Sequence, residues 1–285
     1  MIKFSEPGAD LFIPGGGSIA NALSRTSHLA IAAHQDDIEI LAFHGIAECY
    51  QQAERGFCGV VVTDGAGSPR AGDYAEYTDK KMQEVRAEEQ RAAAKLGEYS
   101  AQFQLAYPSH QVKNTSALPL VDELEEILIK TQPEVVYLHN PMDKHDTHVA
   151  VFLKSLAALR RLPEKIRPKV VYACEVWRDL DWVCDKEKIA LKSDEPRELA
   201  LALLQVFDSQ VSGGKRYDQA VLGRRLAHAT FSHSHAVDDV KGVTYAIDVM
   251  PLLENPMLTV EDYVRGFVER FAHSLTTTLT ALSQD

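Results

Sequence analysis

Two clusters of histidine and aspartate stand out in the sequence as residues that could hold a metal ion. The first spans residues 33–39 (AHQDDIE), and the second spans residues 139–148 (HNPMDKHDTH). A set of two histidines and one aspartate leaves the fourth position of a zinc ion open for water, which is typical of a hydrolytic rather than a structural site. Of two adjacent aspartates, Asp36 and Asp37, one can bind the metal while the other removes a proton from water.

Each cluster has a simpler interpretation when it is taken alone. Residues 36–39 (DDIE) read as a helix N-cap with an acidic first turn, which stabilises any helix. His145 and His148 share one helix face, where the simpler interpretation is a pair of hydrogen-bonded histidines. Because both clusters directly follow predicted strands, we favour the metal site over two independent helix starts.

A regular alternation of strand and helix patterns must position these clusters. Strands are predicted over 29–33, 57–63, 102–107, 134–139 and 169–177. Helices are predicted over 38–55, 79–96, 118–131 and 145–160. This alternation predicts an α/β fold with a Rossmann-like, doubly wound, mostly parallel sheet. With the common strand order 3-2-1-4-5, the first and fourth strands are neighbours, and ligands bind beyond their carboxyl ends.

The alternation weakens beyond about residue 185. A helix near 195–207, a loop at 212–216, a late strand over 245–249 and an amphipathic helix from Val260 to beyond Phe271 are predicted there. We therefore expect one domain over 1–285, with a core of about 28–180 and a C-terminal helical and loop elaboration over about 185–285.

Composition excludes several classes of protein. The 285 residues include 41 acidic and 30 basic side chains, and a net charge of −11 argues against nucleic-acid or membrane-surface partners. No apolar run is long enough to span a bilayer, and the N-terminus lacks a signal-peptide pattern. The four cysteines lack CxxC spacing and are expected to be free thiols. We expect a soluble cytoplasmic protein.

The two clusters also resemble motifs of a known family. Residues 33–39 resemble the AHPDDxE motif of the PIG-L/LmbE family of metal-dependent de-N-acetylases, and residues 143–148 (DKHDTH) resemble its DxHxDH motif. Residues 63–65 resemble the family's TxG turn, residues 85–97 its RxEE helix ending in LG, and residues 208–210 its late SQ motif. The resemblance covers roughly residues 28–210.

The resemblance implies an LmbE-like fold and a role for each motif residue. It implies that His34, Asp37 and His148 bind zinc, with Fe²⁺ as the alternative ion. Asp36 would be the general base, and His145 would stabilise the tetrahedral intermediate. The implied reaction removes an N-acetyl group from a small substrate, usually an amino sugar such as N-acetylglucosamine.

Two further residues are expected at the substrate, and three positions depart from the family pattern. Arg86 and Asp143 are candidate substrate contacts, although Arg86 could instead pair with Glu89 one helical turn away. Gln35 replaces a proline, and Ala66 stands where many sugar-active relatives have an acidic residue. Thr147 replaces the aspartate that orients the histidine equivalent to His145, and Asp143 or Asp146 is the nearest substitute.

Two other functions compete with this hypothesis. Two histidines and a carboxylate also describe the facial triad of non-haem iron oxygenases, whose usual scaffold is all-β. The Thr147 replacement favours a non-catalytic LmbE-like protein that binds a metal or a sugar. We expect a small N-acetylated substrate as partner and leave self-association into a homo-oligomer open. His228, His233 and His235 are kept outside the catalytic set.

Overall fold

The structure, a computed structural model, describes residues 2–116 and 118–283, and in this part of the chain eight strands form one sheet. In chain order the strands are β1 (Asp10–Phe12), β2 (Thr26–Ala32), β3 (Gly56–Thr63), β4 (Ala101–Tyr107), β5 (Val135–His139), β6 (Val170–Cys174), β7 (Ile189–Lys192) and β8 (Val243–Asp248).

The helices lie between and after these strands. In chain order they are α1 (Ile19–Ser24), α2 (Asp37–Leu41), α3 (Phe43–Cys49), α4 (Asp79–Leu96), α5 (Ser109–Val112), α6 (Leu118–Thr131), α7 (Asp146–Arg161), α8 (Arg197–Gln205), α9 (Asp208–Val211), α10 (Tyr217–Phe231), α11 (Met250–Glu254) and α12 (Val260–Leu282). Short 3₁₀ turns occur at Gly72–Tyr74 and Glu164–Ile166.

The strand order confirms a doubly wound sheet. The order is β1-β4-β3-β2-β5-β6-β8-β7, and the five central strands from β4 to β6 are parallel. Their chain order across the sheet is the predicted 3-2-1-4-5, so the direction of winding reverses between β2 and β5. Antiparallel strands cover both edges, with β1 on β4 and with β8 and β7 beyond β6.

Helices cover both faces of the sheet, which explains the continuous apolar runs of the central strands. Leu29 and Ile31 of β2 belong to the core that includes Leu124 of α6 and Phe152 of α7. Their neighbours in β2, such as Ala30, belong to a second core with residues of α2, α3 and α8. Because alternate side chains point to opposite faces, a strand buried on both sides needs apolar residues at nearly every position.

Several elements differ from the sequence prediction. The helix predicted over 38–55 consists of α2 and α3, which are separated at Ala42, and the chain beyond Tyr50 leaves the helix. The apolar spacing continues through both helices, since a break at one residue leaves no mark on the periodicity. The strands β1 and β7 and the helices α1 and α10 were not predicted, because they are short or weakly patterned.

The first half of the C-terminal helix α12 packs against the hydrophobic core. Phe267 is buried there, whereas Leu275, Leu279 and Leu282 in the second half are exposed. In the described residues no helix combines the length and the apolarity needed to cross a bilayer.

Two glycines provide a matched test of the packing beneath α3. A Cβ atom at Gly45 would lie 2.5 Å from a ring carbon of the fully buried Tyr137, whereas one at Gly223 in α10 would meet no atom within 4 Å. Alanine favours a helix over glycine by about 1 kcal/mol at either position. Overpacking costs about 1–3 kcal/mol, so after this gain we expect Gly45→Ala to lower the free energy of unfolding by up to about 2 kcal/mol, and Gly223→Ala to raise it or leave it unchanged. Urea unfolding of both variants measures the difference, and equal stability of the two would contradict this packing.

Candidate active site and metal centre

The two sequence clusters meet at the carboxyl ends of β2 and β5. These strands are hydrogen-bonded neighbours, with Leu29 opposite Val136 and Ile31 opposite Leu138. The segment after β2 turns directly into α2, and the segment after β5 leads into α7, for which His145 is the N-cap residue. The two clusters are more than a hundred residues apart in sequence. They are close in space because the winding of the sheet reverses between β2 and β5, which makes these strands neighbours.

Three of the predicted ligand atoms form a small triangle. His34 Nδ1 lies 3.0 Å from Asp37 Oδ2 and 3.1 Å from His148 Nε2, and the last two atoms are 3.3 Å apart. The ligand atoms of a tetrahedral zinc, each about 2.0–2.2 Å from the ion, lie about 3.3–3.5 Å from one another. The triangle therefore fits one face of such a tetrahedron, slightly compressed, and leaves the fourth corner open.

The ionisation of these side chains suits a cation. Burial lowers the pKa of His34 to about 4, so its ring is neutral and can offer a lone pair. Burial alone would raise the pKa of Asp37, but His148 and His34 outweigh it and hold the pKa well below its ordinary value. Burial opposes protonation of His148 too, yet Asp37 and Asp143 raise its pKa to about 9. The Asp37 and Asp143 carboxylates thus favour positive charge at the His148 ring. A divalent ion can supply that charge when it replaces the proton on His148 Nε2.

Asp143 orients His148 from the side opposite the triangle. Its Oδ2 atom lies 3.1 Å from His148 Nδ1 and also accepts the backbone N–H of Trp177. The side chain of Asp143 is fully buried and is absent from the described lining of the cavity. Its place thus differs from the predicted substrate contact, because a hydrogen bond to Nδ1 fixes the ring with Nε2 toward the triangle.

His139, the last residue of β5, is a site residue for which the motifs predicted no role. Its Nε2 atom accepts the backbone N–H of Ala33 at 2.9 Å and lies 3.5 Å from Asp37 Oδ2. Its ring is stacked on that of His148, with centroids 3.9 Å apart. Burial and His148 lower its pKa, so the ring is neutral. In the sequence, the feature that could have pointed to His139 is its position at the end of a predicted strand, inside the second cluster.

Asp36 has an unusual backbone conformation at the start of α2. Its φ is 94°, a value that residues other than glycine rarely adopt and that marks functional sites. It occupies the N-cap position of α2 but makes no side-chain capping bond, so the simple N-cap interpretation does not describe it. Burial raises the pKa of Asp36 well above its ordinary value, and the Arg86 charge partly opposes that shift.

Arg86 in α4 fixes Asp36 and the loop that precedes α4. Its guanidinium lies 3.3 Å from Asp36 Oδ2 and donates to the Ser68 hydroxyl and the Gln35 carbonyl. Glu89 does not pair with it in the structure but accepts two bonds from Ser209. Arg86 lines the cavity, yet these contacts show that its guanidinium is largely used within the protein.

His145 presents one ring nitrogen to the cavity. Its Nδ1 atom accepts the backbone N–H of Thr147 at 3.3 Å, which places the ring proton on Nε2. Burial and His148 lower its pKa, so the ring is a neutral hydrogen-bond donor. Asp146 points into solvent near Lys113, and Asp143 bonds His148, so neither replaces the aspartate lost at Thr147.

A cavity of about 710 Å³ opens over these groups. Its lining includes His34, Asp36, Asp37, Arg86, His145, Thr147, Trp177, Gln210, Lys215, Tyr217 and Arg224. Side chains from the C-terminal part of the chain thus form one wall. His228 lies elsewhere, bonded at 3.0 Å to the buried Glu175, and His233 and His235 are exposed.

A family comparison agrees with the motifs. Residues 29–159 match the PIG-L family, described as GlcNAc-PI de-N-acetylase, and this segment contains both clusters. No curated protein matches the sequence.

Solved structures with the same fold include both deacetylases and a hydratase. The conserved protein TT1542 from Thermus thermophilus is 17% identical, with a TM-score of 0.62 over 82% of this chain and 99% of that chain. GalB, the 4-carboxy-2-hydroxymuconate hydratase from Pseudomonas putida, is 20% identical, with a TM-score of 0.61 over 82% and 98%. N,N′-diacetylchitobiose deacetylase from Pyrococcus horikoshii is 15% identical, with a TM-score of 0.61 over 84% and 89%.

These likenesses, all at or below 20% identity, show a shared fold and leave the reaction open. The segment that matches the family contains both motifs, whose side chains meet where the winding of the sheet reverses. Residues 29–159 are thus similar to the PIG-L family, described as GlcNAc-PI de-N-acetylase, on a fold that is shared with deacetylases and a hydratase.

Proposed function

We propose that this protein is a zinc-dependent hydrolase that removes an N-acetyl group from a small substrate containing an amino sugar. The observation that carries the proposal is the separation of two carboxylates at one cavity. Asp37 lies in the triangle with His34 and His148, whereas Asp36 faces the same cavity from its contact with Arg86. This separation supports metal binding by Asp37 and proton transfer by Asp36.

The residues fit a zinc ion, and Fe²⁺ is the alternative for the same ligand set. His34, Asp37 and His148 would hold the ion, and Asp143 would keep His148 in the orientation that binding requires. When bound, the ion supplies Lewis acidity, which polarises the amide carbonyl and makes water a better nucleophile at neutral pH.

Asp36 carries the proton that the reaction must move. Its carboxylate takes a proton from the attacking water, whose oxygen forms a bond to the acetyl carbon. The protonated Asp36 then gives this proton to the amine nitrogen as the carbon–nitrogen bond breaks, leaving a free amine and acetic acid, which loses its proton to solvent and becomes acetate. The raised pKa of Asp36 suits both steps, because a group that first accepts and then donates a proton is most effective when its pKa lies near the operating pH.

His145 stabilises the negative charge that develops on the acetyl oxygen. Its neutral ring donates from Nε2, since Nδ1 is occupied by the Thr147 backbone N–H. A fixed donor at the edge of a partly buried cavity stabilises an oxyanion without reorganisation during the step. The ring is held against His148, with stacked centroids 4.6 Å apart.

The alternatives are less well supported by the site. A non-catalytic metal-binding protein would have no use for Asp36, a buried carboxylate held at φ 94° outside the triangle. The same ligand set could serve an iron oxygenase, but the usual scaffold of those enzymes is all-β, whereas this chain has an α/β fold. The hydratase with this fold also adds water to its substrate, so release of acetate and amine is the readout that selects hydrolysis.

We place the reaction in the cytoplasm. In the structure Cys49, Cys58 and Cys174 are buried and free, and Cys184 is a half-buried free thiol. Unpaired cysteines are typical of reducing compartments, which supports this placement.

Removing a ligand should remove the metal. We expect the wild type to retain one zinc per chain after dialysis, and His148→Ala and Asp37→Ala to lose most of it, since two ligands hold zinc far more weakly than three. Metal analysis by mass spectrometry gives the stoichiometry. His235→Ala, at an exposed histidine, is the control that should keep its zinc. Wild-type zinc content in both ligand variants would show that the assignment is wrong.

Removing the base should spare the metal. Asp36→Asn keeps the size of the side chain but cannot take a proton. We expect zinc content to be unchanged and kcat for release of amine to fall by about 10²–10⁴-fold, the usual contribution of a general base. Full turnover in this variant would exclude Asp36 from proton transfer.

The pH profile should report the link between Arg86 and Asp36. Asp36 acts only when ionised, so kcat/KM should rise with pH through its pKa, which burial raises and Arg86 lowers. Arg86→Gln removes the opposing charge, and we expect the acidic limb of kcat/KM to move to higher pH. Arg91→Gln, in the same helix but paired with Asp10, should leave the limb in place. A limb that stays or moves to lower pH in Arg86→Gln would contradict the assignment.

A further inference from the structure

One wall of the cavity carries positive charge that the proposed reaction does not use. Lys113, Lys215 and Arg224, together called the cationic wall, all line the cavity. They come from three parts of the chain: the end of α5, the loop between α9 and α10, and α10 itself. Two of the three lie beyond residue 159, where the family match ends. All three line one cavity in a chain whose net charge is −11, so an acidic rather than a basic surface is the general expectation.

Within the protein, nearby carboxylates do little to neutralise the cationic wall. Among the described residues, neither Lys215 nor Arg224 has a carboxylate oxygen within 4.0 Å. Asp218, the acidic residue nearest in sequence to Lys215, is paired with Arg216 at 2.9 Å. Lys113 approaches only Asp146, at 3.9 Å, and that aspartate is 83% exposed, so the pair is weak.

The carboxylates that line the cavity are also committed to other groups. Asp37 contacts His34 and His148, and Asp36 contacts Arg86. The lining of the cavity therefore combines carboxylates that are paired within the protein with three cations that have no close, buried carboxylate partner in the described part of the chain. A neutral substrate would gain little from the cationic wall, whereas an anion would gain charge-assisted hydrogen bonds.

Trp177 connects the cationic wall to His145. Its ring centroid is 6.2 Å from that of His145, and Lys215 Nζ lies 5.1 Å from the Trp177 centroid. Tyr217 meets the Trp177 ring edge to face at 6.3 Å and fixes its orientation. An aromatic face between the two regions is suited to the apolar face of a sugar ring or a similar flat group.

We propose that the substrate carries an anionic group, a phosphate or a carboxylate, which binds the cationic wall while its N-acetyl group lies at His145. The body of the substrate packs against Trp177. Arg224 already donates one bond to the Val176 carbonyl, which anchors the guanidinium and leaves other N–H groups for the anion. This inference rests on the proposed deacetylation, because it takes the surroundings of His145 as the place of the amide.

Matched substrates test the charge preference. The zinc-loaded protein would be assayed for release of amine from N-acetylglucosamine, N-acetylglucosamine 6-phosphate and N-acetylmuramic acid. The last two carry a phosphate and a carboxylate, so they distinguish the two anions. We expect kcat/KM for at least one of them to exceed that of the neutral sugar by about ten-fold, the effect of one or two charge-assisted bonds at a partly exposed site.

Charge-neutral variants test which residues carry the preference. Lys215→Gln and Arg224→Gln should each reduce the ratio of anionic to neutral kcat/KM by several-fold, and added salt should reduce it in the wild type. Lys165→Gln removes one exposed positive charge away from the cavity and should keep the ratio. An unchanged ratio in both wall variants, or an equal loss in Lys165→Gln, would overturn the proposal.

A binding measurement separates this inference from the proposed reaction. Calorimetric titration with glucosamine, glucosamine 6-phosphate and muramic acid compares ligands that bear the same amine. Preferential binding of an anion that is lost in Arg224→Gln, with none of the acetylated probes turned over, would support the anion site and refute the reaction. Turnover with no anionic preference in rate or binding would support the reaction and refute the anion site. Absence of both would refute both.

Discussion

The site depends on the pairing of β2 with β5 at the point where the sheet changes its direction of winding. This pairing sets the residues after Ala32 beside those after His139, and thereby brings Asp37 within 3.3 Å of His148. The hydrogen bond from the Ala33 backbone N–H to His139 Nε2 joins the two strand ends directly. Without this register the carboxylate and the histidines would be separate helix-start residues, each with an ordinary structural role.

A second constraint keeps two neighbouring carboxylates in different chemical states. Asp37 faces histidines and has a pKa well below its ordinary value, whereas burial raises the pKa of Asp36 well above it. The two adjacent side chains have different partners, since Asp36 contacts Arg86 and Asp37 contacts His34 and His148. Arg86 then holds the Asp36 carboxylate beside the cavity rather than in the ligand triangle.

The central fold and the meeting of the two motif clusters could be predicted from the sequence, because both depend on local patterns. Apolar runs such as 57–63 marked the strands, and the clusters at their ends marked the site. The break at Ala42 and the bond from Asp143 to His148 could not be predicted, since each depends on a single dihedral angle or on tertiary distance. The same holds for the cavity wall, where Trp177, Lys215 and Arg224 meet across segments with no shared motif.

We propose that His34, Asp37 and His148 together hold one zinc ion. Anomalous diffraction at the zinc absorption edge, from crystals of the zinc-loaded protein, tests it most directly. We expect one strong peak per chain at about 2.0–2.2 Å from His34 Nδ1, Asp37 Oδ2 and His148 Nε2. A peak held by other residues, or none at this triangle in crystals that contain zinc, would contradict this ligand assignment.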